Sequence, residues 1–504
     1  MSEEQQWLVC FDTDRIKQYL LATNRLKEIR GGSALIADLD DKRKKHLRER
    51  YGEQNVVYSA GGGAAVLVPT EQEARELIAE VEREFRTETF TASITGVSLP
   101  PDTAQGRNFG ARMALAGRQL RRVKAAKAEL STLPVEPYMR LCSSCGQHPA
   151  AEFADDESGD WLCRACAKKR GLGGREREGK GFFAKFIEWT HSEECEKAKM
   201  PADFDTIGAC SSPPGYVGFI ALDGNHIGSL LDKPTTVEEY RHFSEGLEDL
   251  TRHQTFEALF EALKDSGMPR GGIAPFEIVL IGGDDVLLIT TADIAIEIAL
   301  AIAEGFEQHS PDQVLEKVGL SGECKKLTMA GGVVLAHADF PIPAMHTLAE
   351  ALQKSAKKLC PLRSETGAID FLVVSGSDTD LDEMRRSIPH RRPYTLEEME
   401  KLLKYVRDFK KADFPTSQLQ AMYQALFDGE VNAQLASIAA LGRLGQRSDK
   451  TQHDLLKKFF ADFGVKFNGQ LPPWDAGKRS ALVDLVELYP FIQGQGGRDG
   501  KDVH

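Results

Sequence analysis

Nowhere does the sequence run through the ~20 consecutive apolar residues that a helix needs to span a bilayer. Its opening residues, Met1-Ser-Glu-Glu-Gln-Gln6, are polar and acidic and lack the apolar core of a secretory signal. Both absences point to a cytoplasmic protein with no membrane contact. Positive charge is in deficit. The formal net charge is −13 over 504 residues, which argues against a surface coated throughout by nucleic acid. Glycines between 171 and 181 are too irregular for a P-loop or a dinucleotide fingerprint, and that stretch reads as an exposed mobile loop. Disulfide patterning is missing too. Cys10, Cys195, Cys210, Cys324 and Cys360 are scattered, which suits a reducing compartment rather than a disulfide framework.

The remaining four cysteines form the strongest local signal. Cys142-x-x-Cys145 and Cys163-x-x-Cys166 stand seventeen residues apart, a spacing that suits tetrahedral zinc. Four thiolates close the coordination shell, so the expected Zn²⁺ is structural, and the nearby His148 is surplus and expected at the surface. Apolar residues make up 41% of the chain, ample for packed cores, and the length suits about three domains. Basic runs at 42–50, 118–127, 168–185 and 385–392 read as solvated helix faces or loops. They would suit phosphates or RNA only if they converged.

The pattern of apolar runs predicts the order β-α-β-β-α-β twice, the split βαβ or ferredoxin-like arrangement. In the first unit a strand opens at Trp7, and a helix over 14–29 ends at Gly31-Gly32 as a C-cap. A hairpin then turns at Gly61-Gly62-Gly63-Ala64. In the second unit a strand over 216–222 leads into Asp223-Gly224-Asn225-His226, and Thr236-x-x-Glu239 caps a long helix. Two β-branched apolar runs then flank Gly282-Gly283-Asp284-Asp285, which reads as a tight hairpin. The glycine turn of the first unit falls where this motif falls in the second. The first unit has therefore lost the carboxylates of its turn and is expected not to catalyse. From about Arg391 the chain reads as all helical, and 494–504 as disordered.

The chemistry follows from the fold order. The first strand and the second–third hairpin are neighbours in such a sheet. Asp223 would then stand beside Asp284 and Asp285, three carboxylates suited to a pair of Mg²⁺ or Mn²⁺ ions. Gly224, Gly282 and Gly283 would let phosphates approach the backbone. Asn225 is either a turn former or a partner for a base or ribose. Lys354, Lys357 and Lys358 are either a solvated helix face or a grip on the β- and γ-phosphates of a nucleotide.

Taken together, these residues resemble the large subunit of type III CRISPR–Cas effector complexes, with its paired palm domains. The first unit is similar to that family's inactive palm through Phe11-Asp-Thr-Asp-Arg-Ile16, the stretch from Ala22 to Leu35, and Tyr58-Ser-Ala-Gly-Gly-Gly-Ala64. The second is similar to its active palm through Ala221-Leu-Asp-Gly-Asn-His-Ile-Gly228, the Gly-Gly-Asp-Asp hairpin, Ser355-Ala-Lys-Lys358 and Ala368-Ile-Asp-Phe371. The resemblance implies an α+β chain of two ferredoxin-like palms with a zinc-ribbon-like insertion between them and a helical C-terminal domain. The expected divisions are 1–110, 111–205, 206–385 and 386–504. It implies a nucleotidyltransferase that joins ATP 3′ to 5′ into cyclic oligoadenylates, releasing pyrophosphate. The implied partners are guide and target RNA, met through small helical and backbone subunits. The family often carries an N-terminal HD nuclease, whereas this sequence starts directly with the first palm. His453-Asp454 reads as a helix-surface pair, so no DNase is expected. Asn225 stands where many relatives carry a second aspartate. A silent scaffold, a free-standing signal-nucleotide cyclase and a templated polymerase are the alternatives. The intact Asp223, Asp284 and Asp285 speak against the first, and the lack of extended basic fingers and thumb against the last.

Overall fold

The computed structural model of the chain describes residues 5–101, 108–128, 138–154, 158–173, 181–265, 272–361, 365–376, 380–386, 388–465 and 473–493. Most of the glycine-rich loop and the tail 494–504 lie outside them.

Strand β1 (Trp7–Asp14) is followed by a short helix α1 (Ile16–Leu20), a long helix α2 (Leu26–Tyr51) and the hairpin β2 (Val56–Ala60) and β3 (Gly63–Val68). Helix α3 (Glu71–Thr89) returns the chain to β4 (Ser93–Leu99), and α4 (Phe109–Ala128) crosses the sheet. The strand order is β2-β3-β1-β4, all antiparallel, as the ferredoxin-like pattern requires. Alternation along β1 explains why both faces are covered. Val9 and Phe11 point into the core beneath α2 and α3, while Leu8 and Cys10 point at Phe109 and Met113 of α4.

The insertion holds a two-stranded ribbon, β5 (Glu152–Phe153) and β6 (Trp161–Leu162), and helix α5 (Arg164–Leu172). Here the expected end of a helix at Gly31-Gly32 is overturned. The chain breaks earlier, between α1 and α2, and α2 runs straight through both glycines. Their role is close packing rather than capping. A Cβ on Gly31 would meet the Lys169 carbonyl oxygen at 1.9 Å, and one on Gly173 would meet that of Lys27 at 1.8 Å. The glycines let α5 lie directly on α2.

Three short helices, α6 (Phe182–Thr190), α7 (Glu193–Lys197) and α8 (Phe204–Ala209), lead to the second sheet. It runs through β7 (Tyr216–Gly224), α9 (Ile227–Leu230), α10 (Val237–Asp265), β8 (Phe276–Gly282), β9 (Asp285–Thr291), α11 (Ala292–Ser310), β10 (Met329–His337), α12 (Ile342–Lys357) and β11 (Ala368–Val373). After α13 (Leu381–Arg385) a two-residue strand β12 (Tyr394–Thr395) joins the sheet, whose order is β12-β11-β10-β7-β9-β8. The chain is therefore not purely helical from Arg391. Tyr394 pairs with Ile369 before the helices begin. The predicted cap of α10 forms, since Glu239 N–H donates to Thr236 Oγ1 and Thr236 N–H to the Glu239 carboxylate. The remaining helices are α14 (Leu396–Lys411), α15 (Thr416–Phe427), α16 (Glu430–Gly445), α17 (Thr451–Asp462) and α18 (Ala481–Leu488). The cap at Thr395 and Glu398 of α14 also forms in full.

The two palms pack as pseudo-twofold mates. Helix α2 of the first lies on β8 of the second, where Ser33 Oγ donates to the Val279 carbonyl at 2.8 Å. Reciprocally, Arg241 of α10 donates to the carbonyls of Val56 and Gln54 beside β2, both at 2.8 Å. Phe11 and Val9 share one apolar core with Phe219, Leu287 and Met345, so the palms are joined by burial as well as by hydrogen bonds.

Candidate active site

The hairpin tips of the two palms touch. A Cβ on Gly282 would stand 2.6 Å from the Gly61 Cα, so only glycines permit this approach. Pairing fixes the equivalence of the turns. Ala60 pairs with Gly63 and Gly282 with Asp285. Gly62 and Gly63 therefore stand where the second palm has Asp284 and Asp285, one residue earlier than the glycine run alone suggests. Both hairpins carry a bulge at the matching place, between Val56 and Tyr58 and between Ile278 and Leu280. The neighbouring strands match as well. Phe11 pairs with Ala64 and Leu222 with Val286, so Asp12 is the first palm's counterpart of Asp223.

Asp223, Asp284 and Asp285 come together at the carboxyl end of β7 and the tip of the β8–β9 hairpin. Gly224 makes room for Asp284, since a Cβ there would meet Asp284 Oδ2 at 2.6 Å. Burial pushes the Asp284 carboxyl up to about 6, and the charge of Asp285 adds to the effect. Backbone hydrogen bonds at Asp284 and Gly224 and the charge of Lys17 act in the opposite direction. Each of the other two carboxylates holds an ammonium group. Lys357 Nζ donates to Asp223 Oδ2. Lys17 Nζ, from α1 of the first palm, donates to Asp285 Oδ1 at 3.0 Å. Burial lowers the Lys357 pKa, and the charge of Lys17 lowers it further.

Of the three lysines singled out in the sequence, only Lys357 reaches a carboxylate, while Lys354 and Lys358 are exposed along the same stretch. Asn225 is buried with its side-chain amide donating to Thr328 Oγ1 at 3.0 Å, and its backbone N–H donates to the Thr328 carbonyl at 2.8 Å. That anchors the Asp223 loop to the approach of β10 and turns the amide inward. Sequence reasoning missed Lys17, Thr328 and Asn24. The Asn24 Oδ1 accepts the Ile342 N–H at 2.9 Å and so caps α12 from the other palm.

The donor set fits hard divalent cations: oxygen ligands, clustered, at a spot where glycines keep the backbone open. The second metal site is of a different kind. The Sγ atoms of Cys142, Cys145, Cys163 and Cys166 all lie within 4.8 Å of one another, three of the residues buried and Cys145 half-buried. Cys145 and Cys163 Sγ are 3.9 Å apart, close to the ~3.8 Å edge of a tetrahedron with Zn–S bonds of about 2.3 Å. This Cys₄ cluster fits structural zinc. His148 is half-buried rather than at the surface, and its carbonyl accepts the Cys142 N–H at 2.9 Å. Within the basic runs, many of the charges are neutralised inside the chain. Lys42, Arg43, Lys124, Lys168, Arg170 and Arg385 each pair with an aspartate or glutamate of the chain. His453 Nδ1 lies 2.8 Å from Asp454 Oδ1, a local pair on α17. No helix among the described residues is long and apolar enough to cross a membrane.

Comparison with known proteins finds a family match for the second palm. Residues 216–363 match the model of the Cas10/Cmr2 second palm domain. No curated protein matches the chain. Among solved structures, a Csm1–Csm4 cassette in complex with one ATP superimposes with a TM-score of 0.60 at 15% identity, covering 98% of this chain and 70% of that one. Csm1 of T. onnurineus gives 0.57 at 14% identity, covering 97% and 70%. A Csm1–Csm4 cassette in complex with cA4 gives 0.57 at 14% identity, with the same coverage. Residues 216–363 thus match the second palm domain of Cas10/Cmr2, and the chain as a whole has a fold similar to that of Csm1.

Proposed function

We propose that the junction of the two palms condenses ATP, 3′ to 5′, into cyclic oligoadenylates with release of pyrophosphate, as part of a type III antiviral effector complex. The observation that carries this reading is the meeting of Asp223, Asp284 and Asp285 beside two glycine tips that leave the backbone open. Relatives of the same fold hold ATP and cA4 in their Csm1–Csm4 cassettes.

Asp223, Asp284 and Asp285 would hold divalent cations, which supply an activated ribose 3′-hydroxyl and charge neutralisation for the leaving pyrophosphate. The chain's own groups do the rest. Gly224, Gly282 and Gly283 admit the phosphates close to the main chain. Lys357 exchanges Asp223 for the triphosphate, with Lys354 and Lys358 extending the positive field. Asn225 fixes the loop that presents Asp223. The first palm, with Gly62 and Gly63 in place of the two aspartates, shapes the second nucleotide's place without donating a metal ligand. Guide and target RNA act through backbone and small helical subunits of the complex.

Pyrophosphate release from ATP tests the reading, with Mg²⁺ or Mn²⁺ and with or without RNA that copurifies. The expected result is release by the wild type, reduced by about 10²-fold or more in Asp284→Ala/Asp285→Ala, the scale of removing preorganised electrostatic groups. ATP binding without pyrophosphate release under every condition would contradict it.

A further inference from the structure

The first palm has lost its turn carboxylates but reaches across to those of the second. We infer that Lys17 is a cation-loading latch: its ammonium occupies Asp285 in the cation-free site, competes with the incoming divalent ion, and so sets the concentration at which the site fills. This rests on the metal-binding reading of Asp223, Asp284 and Asp285 given above.

Pseudo-symmetry is the first argument. Arg15 and His226 precede α1 and α9 in matching left-handed conformations, with φ of 50° and 58°. Since Asp12 matches Asp223, Lys17 matches Gly228, five residues on in each case. The first palm thus offers its short helix to the hairpin of the second. The hairpin with two aspartates receives a lysine, and the matching position of the second palm is Gly228, around whose Cβ position there is open space.

Geometry is the second. Lys17 Nζ stands 3.0 Å from Asp285 Oδ1, with the side chains 21% and 32% exposed. A pair this sheltered is only partly screened by solvent. A divalent ion bound to Asp285 at the ~2.0–2.6 Å of carboxylate–cation bonds would face that ammonium as a like charge. One of the two must yield, and the lysine is the flexible partner.

The third argument is what holds Lys17 in place. The Tyr19 carbonyl on α1 accepts from Lys169 of the zinc insertion. Thr23 Oγ1 shares a hydrogen bond with Ser144 Oγ, beside Cys145, at 2.8 Å. Asn24 caps α12, which carries Lys357. Lys17 is therefore positioned by the zinc insertion and by α12 together, so a change in their arrangement moves the latch.

The test is direct Mn²⁺ binding to the nucleotide-free protein, read from the free-ion signal in electron paramagnetic resonance. Lys17→Met keeps the stem and removes the charge, Lys17→Arg keeps the charge, and Asp285→Asn removes the ligand. The expected result is binding about three- to tenfold tighter in Lys17→Met, the effect of one partly screened charge. Lys17→Arg should stay near wild type and Asp285→Asn should be weakest. Equal or weaker binding in Lys17→Met, with Asp285→Asn still impaired, would overturn the latch alone. Unchanged binding in Asp285→Asn would overturn the metal reading on which it rests.

Discussion

Single side chains in this protein do their work by whom they meet across the palm boundary. Asp284 and Asp285 are conspicuous in the sequence because a Gly-Gly-Asp-Asp turn sits between two apolar runs. Lys17 is not, because its partner Asp285 lies 268 residues away and nothing local marks a lysine on a short helix. Asn225 shows the converse: the sequence leaves it open between a turn former and a partner for a base or ribose, and in the fold its amide donates to Thr328 Oγ1. His390 gives a test at this scale away from the site. Burial, then the charges of Arg385 and Arg392, pushes the ring down to about 4, and Nδ1 lies 3.0 Å from the Arg392 carbonyl. Between about pH 6.5 and 4 the ring is neutral when folded and charged when unfolded. The stability it contributes is therefore complete above about 6.5 and is lost as the pH falls toward 4, by about 3 kcal/mol at the lower end. Denaturant unfolding at pH 7 and pH 5 should show a smaller acid loss in His390→Asn than in the wild type, and equal losses would contradict the assignment.

At the scale of elements, glycines decide what packs on what. The hydrophobic periodicity made the strands and most helices legible, and the Thr236-x-x-Glu239 signature marked the start of α10. It misplaced the end of the first helix because a Gly-Gly pair is a stop signal by local rules and a packing notch in three dimensions. Only the position of α5 separates the two meanings. Gly31→Ala should destabilise the protein by about 1–3 kcal/mol, the usual range for overpacking, because its Cβ would strike a backbone oxygen. Gly282→Ala should push the two hairpin tips apart and reduce nucleotide condensation more than ATP binding, measured by kcat and KM together. The Cys₄ insertion belongs to this scale too. Its helix α5 lies on α2, and Arg170 of α5 pairs with the fully buried Glu28 at 2.7 Å. Cys163→Ser should purify with little zinc and a lowered Tm, because metal binding and folding of such a site are one event. Unchanged zinc content and Tm would contradict a structural role.

Across the whole molecule, the two palms form one body whose carboxylate-bearing junction depends on how they dock. The Arg30–Glu277 ion pair is at the centre of that docking, with Nη2 and Oε2 2.7 Å apart and both side chains 6% exposed. Arg30 also donates to the Pro201 carbonyl at 2.9 Å. Arg30→Met would leave Glu277 buried without its partner, and urea unfolding should register a loss of about 3–5 kcal/mol. The double variant Arg30→Met/Glu277→Met should recover part of it. On this view the degenerate palm is the wall, the cap of α12 and the bearer of Lys17, and the active palm supplies the carboxylates. The repeat itself was legible in the sequence, but the contact between its halves was not, because no local pattern specifies which helix covers which sheet edge. The account's central claim is that this junction makes a cyclic adenylate. Mass spectrometry of the products formed from ATP and Mn²⁺ tests it most directly, with Asp284→Ala/Asp285→Ala alongside. The account predicts a ring-closed adenylate oligomer in the wild type and none in the variant. Unreacted ATP alone from wild-type protein loaded with Mn²⁺ and its copurifying RNA, or the same product from the variant, would contradict it.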